Sequence, residues 1–182
     1  MKRHFHNIIL IGMAGAGKST VGALLARRTG FTFLDTDLLI ARQQGRPIQE
    51  VLDLLGPDGF SRLEDAVLLS LDLRHHVIAT GGSGIYCHAG MEHLRSQGIV
   101  ILLEAGLDAL TERVRNLDSR GLVNPGGGSF AELYRQRLPL YRRYADLTVA
   151  TSGCGPAEVC RTILDAVRPR LCRTREAGDR EG

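Results

Sequence analysis

At 182 residues the chain is the size of one domain, since domains run to roughly 100–200 residues. It is 43% hydrophobic and 24% charged, which marks a globular chain and excludes a disordered one. A net charge of +3, five Phe, four Tyr and no Trp exclude a general nucleic-acid or membrane-surface binder, so neither partner is expected. The basic residues are uneven in kind. Of 23, all but Lys2 and Lys18 are arginine, so the body of the chain holds a single lysine.

In chain order, Met1 to Asn7 is basic and Ile8 to Gly17 is apolar and small, a pattern that mimics a secretory leader. Lys18 and an amphipathic helix follow at once, and no apolar run approaches the roughly 18 residues of a membrane span. A cytoplasmic protein is therefore expected, and the chain is taken to be a monomer. Cys87, Cys154, Cys160 and Cys172 form no C-x-x-C pair and no metal-ligand spacing, and read as reduced thiols.

Ile8–Ile11 predicts a buried strand, and Gly12–Gly17 a Gly/Ala loop. Val21, Leu24, Leu25 and Arg28 continue at helical spacing until Gly30. Phe31–Leu34 predicts a second strand, ending in Asp35-Thr36-Asp37. Residues 38–55 read as helix interrupted at Gly45 and Pro47, and a longer helix follows over about 60–73. A third strand, 76–80, runs into Gly81-Gly82-Ser83-Gly84. A short helix over 91–96 precedes a fourth strand, 99–103, and a helix over 108–116. Residues 117–129, with four glycines and a proline, read as a loop. A helix over 131–144, broken or bent at Pro139, a fifth strand over 147–150 and a helix over 155–167 complete the domain. The charged tail from Pro169 is expected to be disordered. Strands alternating with helices predict a parallel sheet covered on both faces.

Gly12-Met13-Ala14-Gly15-Ala16-Gly17-Lys18-Ser19 fits G-x-x-x-x-G-K-[ST] at every fixed position, between a predicted strand and a predicted helix. The glycines let successive backbone N–H groups turn inward around phosphate oxygens, and the helix N-terminus adds partial positive charge. Lys18 is placed for the β- and γ-phosphates, and the Ser19 hydroxyl for Mg²⁺. A compact ammonium between phosphate oxygens is not equivalent to a planar guanidinium. The loop thus predicts ATP, held by Gly12, Ala14, Gly15, Ala16, Gly17, Lys18, Ser19 and Thr20.

From Gly12 to about Val167 the chain resembles the shikimate kinases. The resemblance rests on the phosphate loop, Phe33-Leu34-Asp35-Thr36-Asp37, Phe60 with Glu64, Thr80-Gly81-Gly82, Arg120, and Arg137-Leu138-Pro139-Leu140-Tyr141 through Ala145-Asp146. It implies a three-layer α/β/α P-loop kinase fold with a five-stranded parallel sheet in order 2-3-1-4-5. One kinase domain would span 1–168, with substrate-side helices at about 38–74, a lid at about 117–130, and a tail over 169–182. The implied activity is transfer of the γ-phosphate of ATP to a hydroxyl of a small carboxylate, shikimate first, in aromatic amino-acid biosynthesis.

The resemblance also distributes roles. Asp35 and Ser19 would hold Mg²⁺. Asp37 would orient or deprotonate the acceptor hydroxyl, and it shares Asp35's side of the chain if the segment stays extended. Gly81 and Gly82 would approach the substrate through backbone N–H groups. Arg113 would contact the nucleotide, Arg120 would close over the phosphates and stabilise charge in the transition state, and Arg137 would grip the substrate carboxylate. Of the other arginines nearby, Arg135, Arg142 and Arg143 are expected only to decorate a helix.

The pattern breaks at several positions. Where the family carries an Arg that helps bind the carboxylate, this chain has Ser61. The neighbouring Arg62 points about 100° away on a helix. The third glycine of a family Gly-Gly-Gly is Ser83, the lid sequence is Arg120-Gly121-Leu122-Val123, and Gly153-Cys154 stands where the family often has a basic residue beside the adenine. Loss of one hydrogen bond to a charged partner, about 1.5–3 kcal/mol, weakens binding roughly 10- to 150-fold. Without an Arg at 61, Glu64 one turn on is less neutralised and could pair with a substrate ammonium. A hydroxy amino acid such as homoserine is therefore an alternative acceptor. Gluconate or nucleotide kinases are further alternatives, and a non-catalytic nucleotide-binding module is the alternative from another class.

Overall fold

In the computed structural model, residues 5–115 and 128–171 are described. The elements alternate as expected: β1 (Asn7–Ile11), α1 (Lys18–Thr29), β2 (Thr32–Asp35), α2 (Thr36–Gln44), α3 (Ile48–Ser70), β3 (His76–Ala79), α4 (His88–Gln97), β4 (Gly98–Glu104), α5 (Leu107–Arg115), α6 (Phe130–Tyr144), β5 (Leu147–Ala150) and α7 (Pro156–Val167). The sheet is parallel in order β2-β3-β1-β4-β5. β1 and β4 are apolar almost throughout and buried on both faces, as central parallel strands must be, while edge strand β2 is half-exposed.

The main core joins the sheet to α1, α4, α6 and α7. A smaller core of Ile40, Val51, Phe60 and Val67 ties α2 to α3. That separate packing makes α2 and α3 a wall beside the carboxyl ends of β2, β3 and β1, where open α/β sheets bind their ligands.

Local differences from the sequence reading have physical causes. The segment after β2 does not stay extended. Asp35 caps α2, accepting hydrogen bonds from the amides of Asp37 (3.1 Å) and Leu38 (3.4 Å), so Asp37 is a first-turn helical residue and strand parity does not place it. α6 runs unbroken through Pro139, anchored at its start by a capping box between Ser129 and Glu132. α4 begins three residues earlier than expected, after a 3₁₀ turn at Gly84–Tyr86 that the sequence reading lacks. α3 is interrupted at Gly56 (φ 67°, ψ 172°), ahead of Pro57, as the Gly-Pro pair predicts. Order extends past Pro169: a 3₁₀ turn covers Arg168–Arg170 and Leu171 bridges to Phe5. Of the lid expected over about 117–130, residues 117–127, with Arg120, lie outside the described residues, as does the tail beyond 171.

Candidate active site

The phosphate loop leaves β1 and enters α1 through glycines in conformations other residues rarely adopt: Gly15 at φ 81° and Gly17 at φ 93°. Lys18 Nζ donates to the carbonyls of Gly12 (2.7 Å) and Met13 (3.0 Å), which folds the ammonium back over the loop. Ser19 Oγ donates to Asp35 Oδ2 at 2.8 Å, bringing a hydroxyl from the first turn of α1 and a carboxylate from the end of β2 to one point. These are hard oxygen donors of the type Mg²⁺ prefers, so the pair fits the ion that the loop implies. Arg113 on α5 donates to Gly15 O (3.2 Å) and Thr151 O (3.0 Å), tying the phosphate loop to the segment after β5.

One cleft of about 940 Å³ gathers most of the predicted residues: Ala14 through Thr20, Asp35, Asp37, Gly82, Arg113 and Arg137. Cys154 lines it too, near Thr151 and Pro156. Gly12, Ser61, Glu64 and Gly81 are not among the residues lining the cleft.

The side of the cleft expected to take the acceptor is organised on two adjacent glycines. A Cβ at Gly81 would stand 2.6 Å from Glu64 Oε1 and closer still to Asp37 Oδ1, so only glycine admits both carboxyl groups. A Cβ at Gly82 would stand 3.1 Å from Arg137 Nη1 and 4.0 Å from the amide nitrogen of Ala14 in the phosphate loop. Gly81 N–H is itself committed to Thr36 Oγ1 (3.0 Å), which fixes the start of α2 against the end of β3.

Arg137, on α6, is 1% exposed. Its Nε donates to Tyr86 Oη (3.4 Å) and its guanidinium lies over the Tyr86 ring, 5.3 Å from the centroid. Tyr141, one turn on, donates to Gly82 O at 2.7 Å, and burial pushes its phenol well above the ordinary range. Arg142 by contrast faces solvent and pairs with Glu104 at 2.8 Å, while Arg135 and Arg143 are exposed, so those three decorate the helix.

Glu64 is fully buried. Burial pushes its carboxyl up to about 7; the nearby Asp37 and Asp65 reinforce the shift, and the Ser83 hydrogen bond and Arg137 oppose it. It is thus not the open anion that the sequence alone suggested would await an ammonium. Ser61 turns to Cys87 (Oγ to Sγ 3.9 Å), and Arg62 is exposed as its helical phase requires. Burial and Glu64 together push the Cys87 thiol up to about 12.

Sequence reasoning missed Tyr86, Tyr141 and Cys87 as parts of the site. Tyr141 sat in view within the Arg137 segment, four residues on and so on the same helix face. Tyr86 and Cys87 carried no such signal.

A family model described as shikimate kinase matches residues 14–168. A shikimate kinase of Thiobacillus denitrificans is 42% identical over 160 residues, covering 86% of this chain and 87% of the relative. One of Neisseria meningitidis serogroup C is 37% identical over 167 residues, covering 90% and 97%. Among solved structures, the shikimate kinase of Acinetobacter baumannii in complex with shikimate aligns with a TM-score of 0.81 at 33% identity, covering 91% of this chain and 94% of the other.

Proposed function

The chain belongs to the shikimate kinase family, and we propose that its cleft transfers the γ-phosphoryl group of ATP to the 3-hydroxyl of shikimate. It is a small-molecule kinase acting on a hydroxyl, so the reading as a non-catalytic nucleotide-binding module falls. The observation that carries the assignment of residues is the convergence at Gly81-Gly82. Asp37 and Glu64 meet over the first glycine, and Arg137 and the phosphate loop flank the second.

Phosphoryl transfer needs positioning and charge stabilisation more than covalent chemistry from the protein. The loop amides and the N-terminus of α1 cradle the phosphates, and Lys18 supplies a point charge at the transferred group. Ser19 and Asp35 would hold Mg²⁺, which neutralises phosphate charge when bound. Arg137, buried and steadied by Tyr86, holds the acceptor's carboxylate. Asp37 receives the acceptor hydroxyl, orienting it and taking its proton. Arg113 links the nucleotide's two supporting loops, and Arg120 is assigned by the family resemblance to the transition-state charge. No helix among the described residues is long and apolar enough to cross a membrane.

A coupled assay of ADP release, with shikimate and homoserine each titrated at saturating ATP, tests the substrate. Saturable turnover with shikimate and none with homoserine is expected. Turnover with homoserine, or with neither, overturns the assignment.

A further inference from the structure

Ser83 follows the glycine pair, lines the cleft and is 6% exposed. Its hydroxyl donates to Glu64 Oε2 at 2.7 Å. With that oxygen anchored, the carboxyl plane of Glu64 cannot turn freely. Its other oxygen, Oε1, is buried without a hydrogen-bond partner, a costly state that calls for a physical reason. Gly81 fixes where Oε1 points. A Cβ there would lie 2.6 Å from it and nearer to Asp37 Oδ1, which puts the two carboxyl oxygens within about 5 Å of each other, inside the distance over which one carboxyl group governs another.

The other neighbours of Glu64 are mostly uncharged. Cys87 Sγ lies 4.0 Å from Oε2 and donates to Ser61 O at 3.4 Å, closing the side that faces the preceding turn of α3. The charged groups acting on Glu64 are Asp37 from α2, Asp65 from α3 and Arg137 from α6. An Arg at position 61 would have stood one turn before Glu64 on the same helix and favoured its anion. Here a neutral hydroxyl at 83 does the anchoring instead.

We infer that Ser83 is a positioning residue for phosphoryl transfer: its hydrogen bond holds Glu64 so that Oε1 stands beside Asp37 over Gly81 and sets how Asp37 meets the acceptor hydroxyl. The inference rests on the role proposed for Asp37. Held this way and protonated, as burial favours, Glu64 can direct its proton towards Asp37 Oδ1.

The test uses Ser83→Ala, Ser83→Gly, Ser61→Arg and the Ser83→Ala/Ser61→Arg double variant of the full chain. Two readouts are needed. One is the infrared band of the protonated Glu64 carboxyl in ligand-free protein, identified by its loss in Glu64→Gln and followed against pH. The other is kcat and the KM values for shikimate and ATP, with Tm as a check on folding. Removing the Ser83 donor is expected to move the Glu64 titration to higher pH and to lower kcat about three- to tenfold at unchanged KM for ATP. Adding Ser61→Arg is expected to restore most of that kcat by supplying another donor to Glu64. An unshifted band in both Ser83 variants overturns the inference, as does wild-type kcat, or a fall in kcat that merely follows Tm. The infrared arm needs no substrate, so absence of shikimate turnover by the wild-type protein would overturn the substrate reading alone.

Discussion

The proposed nucleotide half and the proposed acceptor half of this cleft are built on different principles. On the nucleotide side the ligand-facing groups are mostly backbone amides of one contiguous loop, supplemented by Lys18 and the Ser19–Asp35 pair. On the acceptor side they are side chains from α2, α3 and α6 and from the turn after β3, nearly all buried and held by one another. A backbone cradle depends on loop conformation and tolerates changes in most side chains. A buried polar cluster does not, because each unpaired group costs about 1–3 kcal/mol. The departures at Ser61 and Ser83 both fall in the acceptor half, and they surround the same carboxyl group.

Substitutions can break this contrast. Asp37→Asn is expected to have the largest effect, lowering kcat about 10²- to 10⁴-fold while ATP affinity stays nearly intact. Near wild-type turnover in a steady-state assay would remove Asp37 from the reaction. Lys18→Met should reduce kcat about 10²- to 10³-fold and, unlike Asp37→Asn, should also weaken ATP binding measured by calorimetry. If ATP binding were untouched, the division of labour between the halves would fail.

Arg137→Lys keeps the charge but loses the planar fork. It should raise KM for shikimate about 10- to 100-fold with little change in KM for ATP. A smaller change would mean that another group carries the carboxylate.

The finest prediction concerns pH. Glu64 is pushed up to about 7 in the folded protein against 4.5 for an ordinary glutamate carboxyl, so between those values the native state holds a proton that the unfolded chain has released. Its contribution to stability is complete below about 4.5 and is lost as pH rises through about 7, a span worth about 3 kcal/mol. Glu64→Gln should flatten the fall in unfolding free energy over that range in urea melts. An unchanged slope would show that Glu64 is not the buried group responsible.

Much of this was legible beforehand. β1, β4 and α7 declared themselves by apolar runs and helical spacing, and the resemblance supplied the strand order that the sheet adopts. Asp35 and Asp37 were found as a pair, but their geometry was misjudged. The cap formed by Asp35 starts a helix one residue later, and capping competes with strand extension in a way that alternation cannot reveal. Glu64 was identified as part of the site, but its charge was not. The Ser83 hydroxyl that anchors it arrives from 19 residues away, beyond any local pattern.

The sequence alone determined the candidate phosphate site, because its chemistry lies in one continuous segment whose glycines dictate their own backbone turns. The single lysine among so many arginines already marked where a point charge was needed. Only the tertiary structure decided the acceptor site. Desolvation and hydrogen-bond pairing depend on what long-range folding packs around a group, and the packing over Gly81 and Gly82 turns Glu64 from the expected partner of a substrate ammonium into a buried acid held beside Asp37.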